Sequence, residues 1–378
     1  MRVLVNALSA RKGGIVTYTN NLIKAFEARG VDVTVAVSED FETEHPTNLS
    51  RMNVSGFSPL KRLIWEQTAW RRFVKKHNPD ILFSSANFGL IGCPVKQILL
   101  LREGGLFDPF YLANMSAPLG VWYGINRYFR RYLMLLSAMS ADQIMTPTKT
   151  MRNMVALWRP EIAGKCTVNP YGTINEAFKP APVRRKWRED GVVRLIYVSV
   201  YYPHKVPRLL CQAADLLNES GLKSHATITM SPSEFEEMAG SDLDELIVTD
   251  AARRGIVSLG HHKYETLPKL YHNHDVFIFP SVSETFGHPM AEAMSSGLPV
   301  VAADTPVNRE ICGDAALYFE PFSVSGLVDC IRQLDQDEEL RTTLPEIGRA
   351  RAVERFGWED HVDRLVETME RMVNAPNE

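Results

Sequence analysis

The chain has 378 residues, 45% hydrophobic and 23% charged, with a net charge of −3, which is the composition of a globular protein with room for two domain cores. No run of 18 apolar residues occurs, so a membrane-spanning helix is not expected, and the apolar stretch after Met1 is too short for a signal peptide. The five cysteines have no metal-type spacing and predict a reducing, cytoplasmic environment.

Charge is distributed unequally along the chain. Residues 1–180 have a net charge of +9, and residues 181–378 have a net charge of −12. A basic half favours an anionic partner such as a membrane surface or a lipid phosphate, and solvated faces of unequal sign are the alternative. Nucleic acid is not expected as a partner, because no nucleic-acid-binding motif accompanies the charge.

The first half begins as a βαβ unit. A strand is predicted at Arg2–Asn6, a helix at about 15–29 and a second strand at 31–37, with Gly13 and Gly14 in the first turn. Glycines at that point suit either a phosphate-binding turn or a plain tight turn. Two further strands are predicted at 80–85 and 96–101.

An aromatic and basic helical tract follows at 122–140. Its first part combines two tyrosines with three arginines, namely Tyr128, Tyr132, Arg127, Arg130 and Arg131. This pattern favours a surface that rests on anionic lipid or on an acceptor phosphate. A partly buried helix with solvated arginines is the alternative interpretation.

The second half repeats the alternation of strands and helices. The composition of 182–191 predicts a linker between domains. Beyond it, strands are expected at 194–199, 225–230, 255–260, 275–280 and 298–302, with helices between them. Such alternation predicts parallel sheets in both halves, and an amphipathic helix at about 358–373 ends the chain.

The stretch SETFGHPMAEAMSSGLPVV, at 283–301, places two carboxylates around a turn. Pro289 suits the first turn of a short helix, and Gly297 suits its end. The turn after a strand of a parallel sheet lies at the carboxyl edge, where α/β proteins bind ligands. Glu284 and Glu292 are therefore expected at that edge.

The same stretch combines two kinds of binding group. The helix N-terminus, with the amides of Gly287 and His288, favours an anion such as phosphate. Glu284 and Glu292 instead favour sugar hydroxyls as hydrogen-bond donors, so that together the groups predict a nucleotide sugar as ligand. The alternative is that Glu292 only complements the helix dipole and Glu284 is solvated.

Other chemical candidates are weaker. Lys205 lies just before a predicted helix, where its ammonium group suits a phosphate, although a surface lysine is the default interpretation. Five histidines suggest a zinc site, but their spacing does not supply the four ligands of a tetrahedral zinc ion: His261, His262, His272, His274 and His288. No nucleophile-elbow serine or cysteine–histidine motif supports a covalent hydrolase.

Over nearly its whole length the chain resembles the family 4 retaining glycosyltransferases of the GT-B fold. Residues 274–321 resemble the E-x7-E signature of that family with its flanks, and Gly13 and Gly14 resemble its N-terminal glycine loop. Lys205, within Pro-His-Lys, resembles the diphosphate-binding lysine of the family. The resemblance is most specific in the C-terminal half.

The resemblance implies an α/β GT-B architecture. Two Rossmann-like parallel-sheet domains are then expected to face each other across a cleft. Residues 1–180 would form the acceptor domain and residues 186–357 the nucleotide-sugar donor domain. The closing helix, at about 358–378, is expected to pack back on the first domain.

The resemblance also implies roles for individual residues. Glu284 would contact the donor sugar, Glu292 the ribose hydroxyls, Gly14 and Lys205 the diphosphate, and the strand end at His261 the nucleobase. The remaining donor-binding residues would be Gly13, Thr285, Phe286, Gly287, His288 and Pro289. Catalysis is assigned to Glu284, Lys205 and Arg102. No metal or other cofactor is expected, because cationic side chains and backbone amides stabilise the negative charge on the leaving diphosphate.

Two departures from the family pattern bear on these roles. Many members have an arginine shortly before the lysine, where this chain has Ser199, Val200 and Tyr201. Many members also have a histidine after a strand of the first domain, where this chain has Arg102 and Glu103. Arg102 is therefore expected to steady a phosphate or the acceptor.

The sequence thus predicts a retaining, metal-independent hexosyltransferase of polysaccharide or glycoconjugate biosynthesis. Its donor would be a nucleotide-diphosphate sugar, with GDP or UDP favoured, and its acceptor a glycan or a lipid-linked saccharide. A cytoplasmic location with peripheral contact to an anionic membrane is expected. One alternative is a non-catalytic nucleotide-sugar-binding protein; another, an NAD(P)-dependent oxidoreductase, lacks its glycine fingerprint here.

Overall fold

The computed structural model describes residues 1–11, 14–43, 45, 48–116, 119–173, 177–182, 185–236 and 238–375. The chain divides into two compact units. Unit 1 comprises Met1–Phe107, Ile125–Pro170 and Glu359–Glu378, and unit 2 comprises Asp108–Gly124 and Tyr171–Trp358. The end of the chain therefore belongs to unit 1, as the resemblance implies.

Unit 1 is built on a parallel sheet of seven strands within the described residues. The strands are β1 Arg2–Asn6, β2 Asp32–Ser38, β3 Leu49–Met52, β4 Ile81–Ser84, β5 Lys96–Leu100, β6 Gln143–Thr146 and β7 Cys166–Val168. Their order across the sheet is β3-β2-β1-β4-β5-β6-β7, and every pairing is parallel. The central strands β1 and β4 are mostly apolar and, apart from the exposed Arg2, buried, because helices cover both faces of such a sheet.

Unit 2 contains a second parallel sheet, with six strands among the described residues. These are β8 Val193–Tyr197, β9 Ser224–Ile228, β10 Val257–Leu259, β11 Val276–Phe279, β12 Val300–Ala303 and β13 Ala316–Phe319. The order is β10-β9-β8-β11-β12-β13, so that β8 and β11 are neighbours although 78 residues separate their ends. Two parallel-sheet units confirm the predicted α/β fold class.

The helices follow the strands in alternation. They are α1 Gly14–Ala28, α2 Pro59–Trp65, α3 Arg71–His77, α4 Pro109–Tyr111, α5 Val121–Ser140, α6 Lys149–Trp158, α7 Arg208–Glu219, α8 Ser233–Glu236, α9 Asp242–Arg253, α10 Leu267–His272, α11 His288–Ser295, α12 Pro306–Cys312, α13 Val324–Gln336, α14 Glu338–Arg355 and α15 Trp358–Asn374. Within the described residues, no helix is sufficiently long and apolar to cross a bilayer.

Four short strands escaped the sequence analysis: β3, β6, β7 and β13. Each has only three or four residues, and β3 and β7 are only partly buried. Apolar periodicity is weak over so few residues, so these strands owe their conformation to hydrogen bonding with a neighbouring strand. They extend each sheet outward and leave its centre as predicted.

The closing helix α15 is held in unit 1 by its apolar stripe and by polar contacts. Val362, Leu365 and Met369 of that stripe are fully buried, as the sequence pattern predicts. Next to them, the ring of His361 lies 3.0 Å (Nε2 to Oη) from the hydroxyl of Tyr18 in α1. The buried seam explains why the last residues cluster with the first domain of the chain.

Candidate functional site

The segment that carries the two predicted carboxylates forms the expected strand, turn, helix and strand. β11 is followed by the turn 280–287, by α11 and then by β12, and Pro289 lies in the first turn of α11. The helix begins at His288, slightly earlier than the sequence pattern indicates, because Gly287 acts as its N-cap. The turn leaves the carboxyl end of a central strand, which is the predicted edge for a ligand.

Glu284, in this turn, forms an ion pair with Lys205. The Nζ atom of Lys205 lies 2.5 Å from Oε1 of Glu284, and the two side chains are only 12% and 10% exposed. Burial works to raise the pKa of Glu284, but the nearby charges of Lys205 and His204 act against it, and the net effect lowers the pKa. The site thus holds an ionised carboxylate beside a buried ammonium group.

The position of Lys205 follows from the order of the strands. It lies in the turn Pro203–Lys205 that follows β8, and β8 pairs directly with β11. The amide of Val282 donates to the carbonyl oxygen of His204 at 3.0 Å, which ties the two turns together. The sheet therefore brings together two residues that lie 79 positions apart in sequence.

Glu292 lies in the second turn of α11 and is 4% exposed. The hydroxyl of Tyr271, at the end of α10, donates to Oε2 of Glu292 at 2.9 Å, and Tyr264 also donates to this carboxyl group. Burial raises the pKa of Glu292 to about 7, in spite of these hydrogen bonds. A carboxyl group in such surroundings is poised to ionise when a donor such as a hydroxyl approaches it.

The turn before α11 is shaped by a glycine. Gly287 has a φ of +84°, and a Cβ atom at this position would lie 2.5 Å from Cε of Met290. Phe286, beside it, is buried, and His288 is held by a 2.7 Å contact between its Nδ1 atom and Oγ1 of Thr173. Thr285 lies in this turn and Pro289 in the first turn of α11, and both are partly buried.

We expect Gly287→Ala to destabilise unit 2 more than Gly297→Ala does. Both glycines have positive φ, which costs another residue about 1–2 kcal/mol, but only at Gly287 does the added Cβ atom meet a side chain closer than 3.4 Å. The Cβ atom also displaces the flexible end of the buried Met290 side chain, which adds up to about 1 kcal/mol to the first variant. Urea unfolding of both variants measures the difference, and equal free energies of unfolding would contradict this role for the close contact.

The remaining predicted residues lie elsewhere. His261 is exposed and follows β10, which two strands separate from β11. Gly14 is the first residue of α1, and Arg102 follows β5, so both belong to unit 1. Gly13 lies outside the described residues. The structure therefore pairs Lys205 with Glu284 in the turn before α11 and places Glu292 in the helix that follows this turn, while His261 lies after a different strand.

Three groups at the site escaped the sequence analysis. Two are the tyrosines that donate to Glu292, since no local pattern connects them with that carboxylate. The third is Asp108, a buried residue of unit 2, whose Oδ2 atom accepts a 2.6 Å hydrogen bond from the hydroxyl of Ser283, next to Glu284. Asp108 also caps α4, for which the Asp-Pro pair was an available local signal.

The histidines do not share a site in the described part of the chain. His272 contacts the carbonyl oxygen of Lys179, while His274 contacts Thr227 and the carbonyl oxygen of Leu270. Among the described residues, no three His, Cys, Asp or Glu side chains are grouped as metal ligands. The expectation of a metal-independent reaction stays a prediction.

Comparison with known proteins gives two family matches that together cover most of the chain. The family described as Glycosyl transferases group 1 matches residues 183–351, and the family described as Glycosyltransferase Family 4 matches residues 12–173. The boundary between the two matches falls close to the division between the units.

Individual proteins match this chain only partly or at low sequence identity. O-antigen chain mannosyltransferase B of Escherichia coli is 32% identical over 47% of this chain, and the aligned part is 46% of that relative's length. O-antigen chain mannosyltransferase RfbU of Salmonella typhimurium is 22% identical over 75% of this chain and 74% of its own. The solved structure of Anabaena Alr3699/HepE in complex with UDP-glucose has a TM-score of 0.73 and 17% identity, covering 98% of this chain and all of that one.

The two α/β units and this structural likeness define a GT-B fold. The chain belongs to the family 4 glycosyltransferases.

Proposed function

We propose that the protein is an active retaining glycosyltransferase that transfers a hexose from a nucleotide-diphosphate sugar to a glycan or lipid-linked saccharide. The family matches support the class of reaction. The two O-antigen mannosyltransferases support a role in the synthesis of a bacterial-type polysaccharide or lipopolysaccharide. The structural likeness to a UDP-glucose complex supports a nucleotide sugar as donor.

The observation that carries the proposal is the buried pair of Lys205 and Glu284 beside a helix N-terminus. A buried ammonium and a buried carboxylate, 2.5 Å apart, are matched to a ligand with both anionic and hydroxyl groups. In this mechanism, the diphosphate of the donor binds the ammonium group of Lys205 in place of Glu284. Glu284 then accepts hydrogen bonds from the hydroxyls of the transferring sugar. The amides of the turn at Gly287 and His288 add to the anion site.

The resemblance to the family supports the other proposed roles. Glu292 accepts hydrogen bonds from the ribose, and Gly14, Arg102 and His261 supply further donor or acceptor contacts. Lys205 and the amides stabilise the charge that develops on the leaving diphosphate, so that the reaction proceeds without a metal ion. The leaving phosphate oxygen receives the proton of the acceptor hydroxyl, which attacks from the same face and preserves the anomeric configuration.

Turnover with defined donors tests this function. The protein should be stabilised against heat by GDP- or UDP-hexoses, and should release nucleoside diphosphate in the presence of an acceptor. Proton NMR of the product should show the anomeric configuration of the donor. Donor binding without transfer to any acceptor would instead identify a nucleotide-sugar-binding protein.

We further expect the rate of transfer to be unchanged by EDTA, because the leaving charge is carried by Lys205 and by backbone amides. The measurement is the initial rate with and without chelator, after dialysis to remove metal. A loss of activity that a divalent ion restores would contradict the metal-independent mechanism. EDTA-treated protein refilled with magnesium serves as the control.

A further inference from the structure

Residues 108–111 form a short segment, segment 108–111, that lies across the carboxyl edge of the sheet of unit 2. The segment consists of an N-cap residue and the short helix α4. It contacts residues that follow three of the strands, namely His204 after β8, Ser283 after β11 and Phe322 after β13. Because the carboxyl ends of parallel strands meet at one edge of a sheet, these contacts place the segment beside the turns that carry the buried ion pair.

Asp108 connects the segment to the turn of Glu284. Its side chain is buried, and both of its carboxylate oxygens accept hydrogen bonds. Oδ1 accepts from the amide of Phe110 at 3.0 Å, and Oδ2 accepts from the hydroxyl of Ser283 at 2.6 Å. Hydrogen bonds to a carboxylate are about twice as strong as those between neutral groups. Since Ser283 is buried and directly precedes Glu284, this hydrogen bond fixes the backbone from which that side chain extends.

Tyr111 connects the segment to the turn of Lys205. Its ring centre lies 5.7 Å from that of His204, at an interplanar angle of 73°. Tyr202 stacks on the same imidazole ring, with the ring centres 5.7 Å apart and an angle of 14°. Edge-to-face and stacked rings at such distances attract each other. His204 directly precedes Lys205, so the segment contacts the residue before each member of the ion pair.

The two turns are also joined to each other by hydrogen bonds that do not involve the ion pair. The amide of Val282 and the hydroxyl of Ser281 both donate to the carbonyl oxygen of His204, at 3.0 and 3.3 Å. The side chains of Lys205 and Glu284 take no part in these contacts. Both turns therefore keep this support when the ion pair opens.

The proposed mechanism requires the ion pair to open. When the donor diphosphate binds Lys205, the carboxylate of Glu284 loses the ammonium group that fixes its position. The side chain of Glu284 is only 10% exposed, so contact with solvent contributes little to its orientation. Its direction then depends on the backbone of its turn, and the hydrogen bond between Asp108 and Ser283 holds that backbone immediately before Glu284.

We propose that Asp108 is a positioning residue for sugar transfer. Acting through Ser283, it keeps the carboxylate of Glu284 directed at the transferring sugar once the ion pair has opened. The ring contact of Tyr111 supports the other turn in the same way. This inference rests on the proposed transferase function and assigns a role in it to a segment outside the E-x7-E stretch.

Ser283→Ala tests the positioning role, because it removes the hydroxyl group and retains Glu284 itself. The kcat of transfer should fall about tenfold, since a small misplacement of a group beside the reacting sugar slows the reaction. The KM for the donor should change less than about threefold, because Lys205 and backbone amides still bind the diphosphate. Initial rates with UDP-glucose or GDP-mannose give both constants. An unchanged kcat would overturn the proposal.

The double variant Asp108→Asn/Ser283→Ala separates positioning from stability. Ser283→Ala alone leaves a buried carboxylate oxygen without its donor, which destabilises the fold. The double variant removes that charge, and an asparagine still caps α4. The midpoint of urea unfolding should therefore return towards the wild-type value, while kcat stays low. If kcat recovers together with the midpoint, Asp108 has only a structural role.

A double-mutant cycle shows whether Ser283 acts through Glu284. In the Glu284→Gln background, adding Ser283→Ala should lower kcat less than about twofold, because the carboxylate to be positioned is already absent. The matched control is Ser224→Ala, which removes a buried hydroxyl at the start of β9 that donates to the carbonyl oxygen of Ala214 at 3.1 Å. This control should keep the wild-type kcat. An equal loss in both backgrounds, or in the control, would contradict the proposal.

Titration of Glu284 by carbon-13 NMR tests the positioning without turnover. The signal of Glu284 is identified by its absence from the Glu284→Gln protein. In the wild type, the charges of Lys205 and His204 lower the pKa of this carboxyl group. A carboxylate displaced from these charges in Ser283→Ala should therefore titrate at a higher pH, and an unchanged titration would overturn the proposal.

The proposed function and this inference fail separately. If no nucleotide sugar is turned over while Ser283→Ala raises the pKa of Glu284, the transferase function is wrong and the positioning of Glu284 by the segment stands. If the wild type transfers sugar while kcat and the titration of Glu284 are both unchanged in Ser283→Ala, the transferase function stands and the positioning role is wrong.

Discussion

Lys205→Met should abolish most activity and strongly destabilise unit 2. The substitution leaves Glu284 buried and without its ammonium partner, for which the expected loss is about 3–5 kcal/mol in the free energy of unfolding. Transfer should slow about 10²-fold, as when one preorganised donor to a developing charge is removed. Urea unfolding and initial rates under saturating donor measure the two effects.

The double variant Lys205→Met/Glu284→Gln separates stability from catalysis. Replacing both charges removes the uncompensated carboxylate, so most of the lost stability should return. Activity should not return, because neither the diphosphate nor the sugar hydroxyls recover their partners. If activity recovers together with stability, the pair has only a structural role.

A matched control comes from an exposed ion pair of the same unit. Arg309 and Asp304 form such a pair, with side chains 56% and 40% exposed. Arg309→Met should lower the free energy of unfolding by no more than about 1 kcal/mol, because solvent screens an exposed pair.

The buried pair of Lys205 and Glu284 should also weaken as pH falls. The pKa of Glu284 is lowered in the folded state, so the ionised carboxylate stabilises the fold above the pKa of the unfolded state. This stabilisation is lost as pH falls through the pKa of the folded state.

Glu292→Gln should make the protein more stable above neutral pH. The pKa of Glu292 is raised to about 7 by burial, so the folded state favours its protonated form. The protonated carboxyl group of Glu292 therefore stabilises the folded state fully at a pH below the pKa of the unfolded state. This stabilisation is lost as the pH rises through about 7. The variant cannot ionise, and its advantage over the wild type should grow to about 3 kcal/mol between acidic and mildly alkaline pH.

The affinity for nucleotide should depend on pH in the opposite sense to the stability of the fold. The affinity of the wild type for UDP or GDP should rise with pH across about 7, because an ionised Glu292 accepts hydrogen bonds from ribose hydroxyls. Glu292→Gln should bind more weakly, by about 1.5–3 kcal/mol, and lose this pH dependence. Calorimetry on both sides of neutral pH provides the measurement.

Glu320→Gln is the control for Glu292→Gln, since it neutralises an exposed glutamate of unit 2. Its unfolding and nucleotide affinity should follow those of the wild type at every pH. A Glu292→Gln protein with wild-type stability and affinity at alkaline pH would show that this carboxylate neither strains the fold nor contacts the nucleotide.

Much of the candidate site is visible in the sequence because its key signals are local. The apolar run of β11, the Gly-His-Pro turn and the Gly297 stop lie within 22 residues, and each has a conformational meaning that depends on few neighbours. Strand, turn and helix are therefore predictable, and with them the position of Glu284 and Glu292 at the carboxyl edge. Pro289 lies in the first turn of α11 as predicted, and the helix begins at His288 with Gly287 as its N-cap.

Residues outside that stretch illustrate the limit of local reasoning. Arg130 and Arg131 are adjacent and chemically identical, yet Arg130 is half-exposed and pairs with Glu103, whereas Arg131 is buried against Trp158. The sequence pattern assigned both to one surface. Helical geometry separates adjacent side chains, but only the packing of α5 on its neighbours decides which of them is buried.

The sequence by itself determined the alternation of strands and helices, the family and the turn that carries Glu284, because these depend on spacing and on residue conformational preferences over short distances. The tertiary structure decided the partners: Lys205 for Glu284, and Tyr271 for Glu292. Those pairs depend on strand order, since β8 lies beside β11 only after a long crossover, and no local periodicity records which strands become neighbours. The same packing buries Glu292, which raises its pKa to about 7, and places beside Glu284 the charges of Lys205 and His204 that lower the pKa of that carboxyl group.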